Sequence, residues 1–279
     1  MEREKLTVTI KSDLFSRIDA IIDGKKIRNR SHATEYLIRK GLGESKVNKA
    51  LVMAGGQGTR LRPFTYELPK SLIPVQGKAL MDHCLDLLLR HNIRDIVISV
   101  GYLGHKIKDY YKDGKHLGMR IQYVEEKEPL GTAGAMRLAR DYLNEPFFLI
   151  WSDILTDIDL DDFAEFFHRT EPLIAMSLST VSDPSRFGVA KLRGHRILDF
   201  VEKPPLGTEP SKLVNAGYNI IHPDVIDLIG PGQVSFEREI LPAILKKNKL
   251  FGYPFEGQWF DTGTQEAYEQ VLKEWKGIS

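Results

Sequence analysis

The chain of 279 residues contains one cysteine, Cys84, and no apolar run approaching the roughly 20 residues that a membrane-spanning helix requires. A lone thiol excludes an internal disulfide framework and a cysteine-built zinc cage, and it fits a reducing compartment. The opening stretch MEREKLTVTI alternates charge with β-formers and lacks an apolar signal core, so a cytoplasmic location is expected. Among the eight histidines there is no HExxH spacing, and His83 beside Cys84 falls within an apolar helical pattern that points to packing. A net excess of either charge is missing too, since 39 Lys and Arg stand against 38 Asp and Glu. The balance is uneven, however: residues 1–47 hold eleven basic and seven acidic side chains, so a basic excess sits at the N-terminus, as either a polyanion-binding surface or a solvated face. No internal repeat is present. What remains is an ordinary globular composition, 42% hydrophobic and 28% charged, on a length that suits one large α/β domain with a small appendage.

The appendage is expected over residues 1–45. KLTVTIK alternates, with Leu6, Val8 and Ile10 on one face and Thr7, Thr9 and Lys11 on the other, which predicts a half-buried strand. Ser12 or Asp13 can cap a helix DLFSRIDAIIDG ending at Gly24, and Ser31 can cap a second, HATEYLIRKGL, ending at Gly41. A strand and two short helices bury too little surface to enclose a core alone. LTVTIKSDLFSRIDAII and RNRSHATEYLIRKGL together resemble the ribbon-helix-helix family. That resemblance implies a homodimer formed through residues 1–45, with strands paired between two chains. It also implies a DNA-facing set at Thr7, Thr9, Lys11 and Ser31, through paired strands in the major groove and a helix N-terminus on a phosphate. A unit that only dimerises the protein is the alternative.

From residue 49 to 279 strands and helices alternate. KALVMA, a helix over 79–91, DIVISV, a helix from Gly104, RIQYV, a helix over 131–141 and FFLIW follow one another, which predicts right-handed crossovers and a Rossmann-like, doubly wound sheet. Beyond residue 173 the strands crowd together (LIAMSLSTV, FGVAKLR, RILDFVEK, LVNAGYNIIH), so the sheet should become mixed before a last helix over 264–276.

The apolar run LVMA breaks into AGGQGTRLRP. No Gly-Lys-Ser/Thr closes this loop, and Leu61 stands where a dinucleotide fingerprint needs its third glycine. Ala54, Gly55, Gly56, Gly58 and Thr59 nevertheless form a loop able to turn backbone N–H groups toward an anion at the carboxyl end of a strand. Arg60 adds a two-pronged phosphate donor, and Lys70, twelve residues after Gly58, adds a point charge.

The whole stretch ALVMAGGQGTRLRPFTYELPKSLIPVQGKALMDHCLDLL resembles the sugar-1-phosphate nucleotidyltransferases, and the likeness runs from 49 to 275. It implies a nucleotidyltransferase fold and transfer of a nucleoside monophosphate from a triphosphate to a sugar 1-phosphate, with pyrophosphate released. EPLGTAGA then supplies Gly131, Thr132 and Ala133 against the nucleobase, with Glu126 near its edge, while Asp153 of WSD and Asp261 of WFDTGT become ligands of Mg²⁺. Gly188, Glu202, Lys203 and Asn215 fall at the sugar and its phosphate, with Tyr218 in the same motif as Asn215. Ser152 departs from the glycine usual in relatives before the first acid.

The chemistry explains the residue types. Two polyanions must be brought to about 3–3.5 Å in line, so Arg60, Lys70 and Lys203 would cancel repulsion beside a metal held by a few carboxylates. Taken singly, Asp153 and Asp261 could instead be helix caps, and Glu202–Lys203 a surface pair. EEKEPLGTAGA and WFDTGT look more like mannose- and heptose-1-phosphate guanylyltransferases, which favours GTP. The rival expectation from another class is a DNA-binding regulator whose large domain only senses a nucleotide or nucleotide-sugar.

Overall fold

A computed structural model of the chain describes residues 7–22, 27–42 and 46–278. The chain divides into two compact units, residues 1–46 and 47–279. No helix among the described residues is long and apolar enough to cross a membrane.

In the first unit, helices α1 (Ser12–Ala20) and α2 (Arg30–Leu42) are tied by Arg30, whose Nε and Nη2 donate to the two Asp19 oxygens at 2.7 and 2.8 Å. The same guanidinium lies 4.6 Å over the Phe15 ring. Only Ile27 and Ala33 are buried among the described residues of this unit, so it encloses no core of its own. The expected strand is not seen: residues 7–11 pair with no strand, and Val8 and Ile10 are 57% and 38% exposed. An isolated strand has no ladder to join, and here the partner would be a second chain. Lys5, Leu6 and Gly24 lie outside the described residues. The caps also differ. Lys11 precedes α1 without a side-chain bond, and Ser31 lies inside the first turn of α2, where Asn29 Oδ1 accepts the His32 N–H at 3.0 Å instead.

The second unit begins with β1 (Lys49–Ala54), a short helix α3 (Phe64–Glu67), the small hairpin β2 (Pro74–Val75) and β3 (Lys78–Ala79), then α4 (Leu80–Arg90). There follow β4 (Asp95–Val100), α5 (Gly104–Tyr111), β5 (Arg120–Glu125), α6 (Gly131–Leu138) and β6 (Phe147–Trp151). After β7 (Ile154–Thr156) comes α7 (Leu160–Thr170), then β8 (Ile174–Thr180), β9 (Gly188–Arg193), β10 (Arg196–Glu202) and β11 (Leu213–Ile221). A π-helical turn over Phe236–Ile240 leads into α8 (Leu241–Lys246), β12 (Leu250–Pro254), β13 (Trp259–Asp261) and α9 (Gln265–Glu274).

Nine strands form one sheet in the order β5-β4-β1-β6-β11-β8-β12-β10-β9. The first four are parallel, and β11 enters antiparallel to β6, from where the sheet is mixed as expected. Alternate residues of each parallel strand point to opposite faces, so both faces need apolar cover. Ala50, Val52, Ile96 and Ile98 pack into one core, and Leu51 and Val97 into the other. Chain order runs from β1 outward to β4 and β5 and then returns to place β6 on the other side of β1. That reversal is the place where doubly wound sheets open a crevice beyond the carboxyl ends of their strands.

The sequence reading omits α7, whose signals are present: Asp159 Oδ1 accepts the Asp162 N–H at 2.9 Å, and Phe163, Phe166 and Phe167 are buried at helical spacing. The helix expected over 131–141 stops at Leu138 and tightens into a single 3₁₀ turn over Arg140–Tyr142.

Candidate active site

A cleft of about 750 Å³ opens at the carboxyl ends of β1, β4 and β6. Of the residues expected at the nucleotide, Ala54, Gly55, Gly56, Gly58, Thr59, Glu126, Gly131 and Thr132 line it, together with Arg60, Lys70 and Asp153, whereas Ala133 is fully buried in the core and does not. Sequence reasoning missed Gly101, Tyr102 and Trp151, which also form the wall. The signal for the first was available, since a glycine directly after an apolar strand in a βαβ pattern marks a crevice.

Gly55 is required by crowding. A Cβ there would stand 2.6 Å from Glu126 Oε1, and the Gly55 carbonyl accepts the Tyr102 N–H at 3.2 Å, so two strand ends close on each other. Glu126 itself is held by two donors, the Ser99 hydroxyl at 3.0 Å on Oε1 and the Leu130 N–H at 3.2 Å on Oε2. Two lone pairs remain for a ligand.

The charged groups converge at the floor. Lys70 follows Pro69 in a 3₁₀ turn, and its Nζ donates to Asp153 Oδ2. Burial works against the Asp153 carboxylate, but the Lys70 ammonium and then Arg60 prevail and hold it below the usual carboxylate range. Asp261 is joined to Asp153 through backbone. β13 pairs antiparallel with β7, and Thr262 donates both its N–H, at 3.1 Å, and its hydroxyl, at 2.8 Å, to the Asp153 carbonyl. Burial and then the Asp153 charge push the Asp261 carboxyl above its ordinary range. A Cβ on Gly263 would lie 2.8 Å from Asp261 Oδ1 and 2.9 Å from Arg60 Nη2, which places the guanidinium and the second acid on one glycine. Neither acid is a helix cap: Asp153 sits in the turn between β6 and β7, and α9 is capped by Thr264 Oγ1, which accepts the Ala267 N–H at 3.3 Å.

Gly188, Glu202, Lys203 and Asn215 lie beyond the walls of this cleft but come together with one another. Gly188 pairs with Glu202 across β9 and β10, and a Cβ on Gly188 would stand 2.8 Å from Glu202 Oε2. Lys203 Nζ is 3.5 Å from Glu202 Oε1, and β9 touches β11 at Val189 and Val214, next to Asn215. Asn215 Oδ1 accepts the Gly217 N–H at 3.1 Å within a bulge of β11. Burial and then the nearby Glu237 charge, which outweigh Lys203, raise the Glu202 carboxyl. Tyr218 is not at this end; it is a core residue whose hydroxyl bonds Cys84, and burial pushes that thiol up to about 12.

A grouping of His91, Asp159 and Asp161 brings three metal-type ligands within 4.8 Å of one another. Asp159 is already the cap of α7 and His91 Nδ1 lies 3.0 Å from Asp161 Oδ2, so helix capping and an ion pair account for it.

Comparison with known proteins agrees with this geometry. The family model described as nucleotidyl transferase matches residues 49–276. A mannose-1-phosphate guanylyltransferase catalytic subunit beta of Dictyostelium discoideum is 38% identical over 225 residues, 79% of this chain and 62% of that protein. A mannose-1-phosphate guanyltransferase beta-B of Xenopus laevis is 36% identical with the same coverage. The chain thus spans about three fifths of the length of these curated relatives. Among solved structures, a Bacillus anthracis protein described as a glucose-1-phosphate thymidylyltransferase superposes with a TM-score of 0.75 at 26% identity, over 80% of this chain and 93% of that one. A UDP-glucose pyrophosphorylase complexed with UDP-glucose shares the fold, with a TM-score of 0.72 at 24% identity over 81% and 97%.

Proposed function

Because this chain belongs to the nucleotidyl transferase family, we propose that it joins a nucleoside triphosphate to a sugar 1-phosphate and releases pyrophosphate. GTP and a mannose- or heptose-type sugar phosphate are the favoured pair. The observation that carries the reading is the meeting of Arg60, Lys70, Asp153 and Asp261 at one end of the cleft. A sensor that does not turn its ligand over has no use for two half-buried acids held against each other, so the rival regulator reading is disfavoured.

Asp153 and Asp261 fit a divalent cation. They are hard oxygen donors, they repel each other in this state, and Lys70 engages one Asp153 oxygen. Mg²⁺ held between them would neutralise charge on the α-phosphate and on the departing pyrophosphate. Arg60 grips the outer phosphates and Lys70 the oxygens of the α-phosphate. An oxygen of the sugar's phosphate attacks the α-phosphorus, the bond to the β-phosphate oxygen breaks, and that oxygen leaves with its electrons. The attacking oxygen is already ionised near neutral pH, so no general base is needed. Lys203 offsets the charge of the sugar's phosphate, and Glu202 accepts from sugar hydroxyls. The guanine preference draws on the relatives' names and on the free lone pairs of Glu126, which can accept the N1–H and N2–H donors of guanine.

The N-terminal unit supports a homodimer in the same proposal. Val8, Ile10, Leu14, Phe15, Leu37 and Ile38 are all exposed large apolar side chains, and among the described residues of the unit only Ile27 and Ala33 are buried. Thr7, Thr9, Lys11 and Ser31 are exposed as well. Retention on DNA at low salt that disappears when residues 1–45 are removed would add nucleic-acid binding to that role, and no retention on any DNA would discard it.

The deciding experiment is a pyrophosphate-release screen of the common triphosphates against a panel of sugar 1-phosphates with Mg²⁺. Asp153→Asn and Asp261→Asn are each expected to abolish release from a folded protein. Undiminished turnover in either variant would overturn the metal assignment.

A further inference from the structure

The nucleotide wall formed by residues 126–132 is held from a segment about a hundred residues further along the chain. Thr132 Oγ1 accepts the Phe236 N–H at 3.0 Å and donates to Glu237 Oε2 at 3.1 Å, and the Ser235 hydroxyl donates to the same oxygen at 3.1 Å. A hydroxyl carries one proton, so Thr132 has none to offer a ligand while Glu237 holds it. The backbone repeats the pattern. The Val234 carbonyl accepts the N–H groups of Ala133 at 3.1 Å and Gly134 at 3.4 Å, and the Val234 N–H donates to the Leu130 carbonyl at 2.8 Å. Gly131 has φ of +74°, and a Cβ there would stand 2.6 Å from the Val234 oxygen. The first turn of α6 is therefore laced to residues 234–237, which run into the π-helical turn. Turns of that kind are costly and recur at functional sites.

We infer that Glu237 is a positioning residue for the nucleotide: by holding the Thr132 hydroxyl it fixes the first turn of α6 at the edge of the cleft. This rests on the nucleotide placement proposed above. Glu237 is half-buried and makes no wall of the cleft itself, so it acts through Thr132. The role needs an acceptor at this point, not a negative charge.

The test uses the full chain and two readouts: equilibrium titration with GTP, ATP, UTP, CTP and dTTP in the absence of sugar phosphate, and steady-state KM for each substrate. Glu237→Ala is expected to weaken the best-bound nucleotide about tenfold, the scale of one lost hydrogen bond, with the KM for sugar phosphate within about twofold of wild type. Glu237→Gln should restore wild-type affinity, because an amide carbonyl can accept both hydroxyls. Thr132→Val should weaken the nucleotide at least as much as Glu237→Ala, since it also removes the acceptor of the Phe236 N–H, and the double variant should be no weaker than Thr132→Val alone. Unchanged nucleotide affinity in Glu237→Ala, a Gln variant as weak as the Ala variant, or losses that add would each overturn the assignment. If Glu237→Ala does not fold, the Gln and Val variants decide it alone. A wild type that binds nucleotide but turns over no sugar phosphate refutes the proposed reaction and leaves the titrations to judge Glu237. A wild type that binds no nucleotide overturns both.

Discussion

Lys70 Nζ is hydrogen-bonded to Asp153 Oδ2 at the floor of the cleft, with the side chains only 13% and 24% exposed. The pair links the 3₁₀ turn after α3 to the turn after β6, so two segments 83 residues apart in sequence meet at the floor through one contact. Lys70→Met is expected to reduce turnover by about 10²–10³-fold, the usual loss for one preorganised electrostatic contact. Its stability should also change its pH dependence. Without the ammonium, burial, the largest influence on this group, raises the folded-state value of Asp153 above the unfolded one, so the folded form binds the extra proton and stability rises as pH falls from 7 toward about 4. In the wild type the depressed Asp153 carboxyl contributes stability above about pH 4 and loses it below. Melting curves of both proteins across this range check the sign.

Asp261 carries a stability cost. Its carboxyl is raised by burial and by Asp153, so the ionised form opposes folding at neutral pH, and that opposition fades as pH falls through the raised value. Asp261→Asn is expected to melt about 2–4 °C higher than wild type near pH 7.5, the shift that about 1 kcal/mol makes in a domain of this size. The advantage should vanish near pH 4, and turnover should be lost throughout. A lower melting point at pH 7.5 would refute the repulsion.

Gly55→Ala puts a methyl group 2.6 Å from Glu126 Oε1. The carboxylate must move off the Ser99 hydroxyl, which displaces the cleft wall proposed to meet the nucleobase and leaves the charged floor in place. The expected outcome is a KM for nucleotide raised about tenfold with kcat within about threefold, measured by initial rates.

Light scattering of the full chain should return twice its 31.7 kDa mass. Val8→Asp with Ile10→Asp puts charge on the apolar face of the N-terminal unit and should return the single-chain mass. A double variant that keeps the doubled mass would place the contact elsewhere.

The legible parts of this molecule are those whose signals are local. The apolar run of β1 broken by Gly55 and Gly56 marks a strand end at a crevice, and the alternation through Trp151 marks a doubly wound sheet. Asp153 and Asp261 are identifiable only through resemblance to a family, because nothing local distinguishes them from caps, and the bond from Thr262 that joins them spans 109 residues. Glu237 shows no signal at all: FEREI reads as a charged helix, and its partner Thr132 lies 105 residues earlier. Residues 7–11 of the expected N-terminal strand stand unpaired in the single chain, since alternation predicts a face but cannot supply the neighbour that a ladder needs. The missed α7 was readable from its Asp159 cap and its phenylalanine spacing.

Asp157 Oδ1 accepts the Gln258 N–H at 2.7 Å beside the β7–β13 ladder, so the chain leaves and returns at the same rung. The whole segment between those two residues, β8 to β12 included, leaves and rejoins the fold at one clamp. A change at the clamp is therefore expected to reach both acids together, although about a hundred residues separate them in sequence.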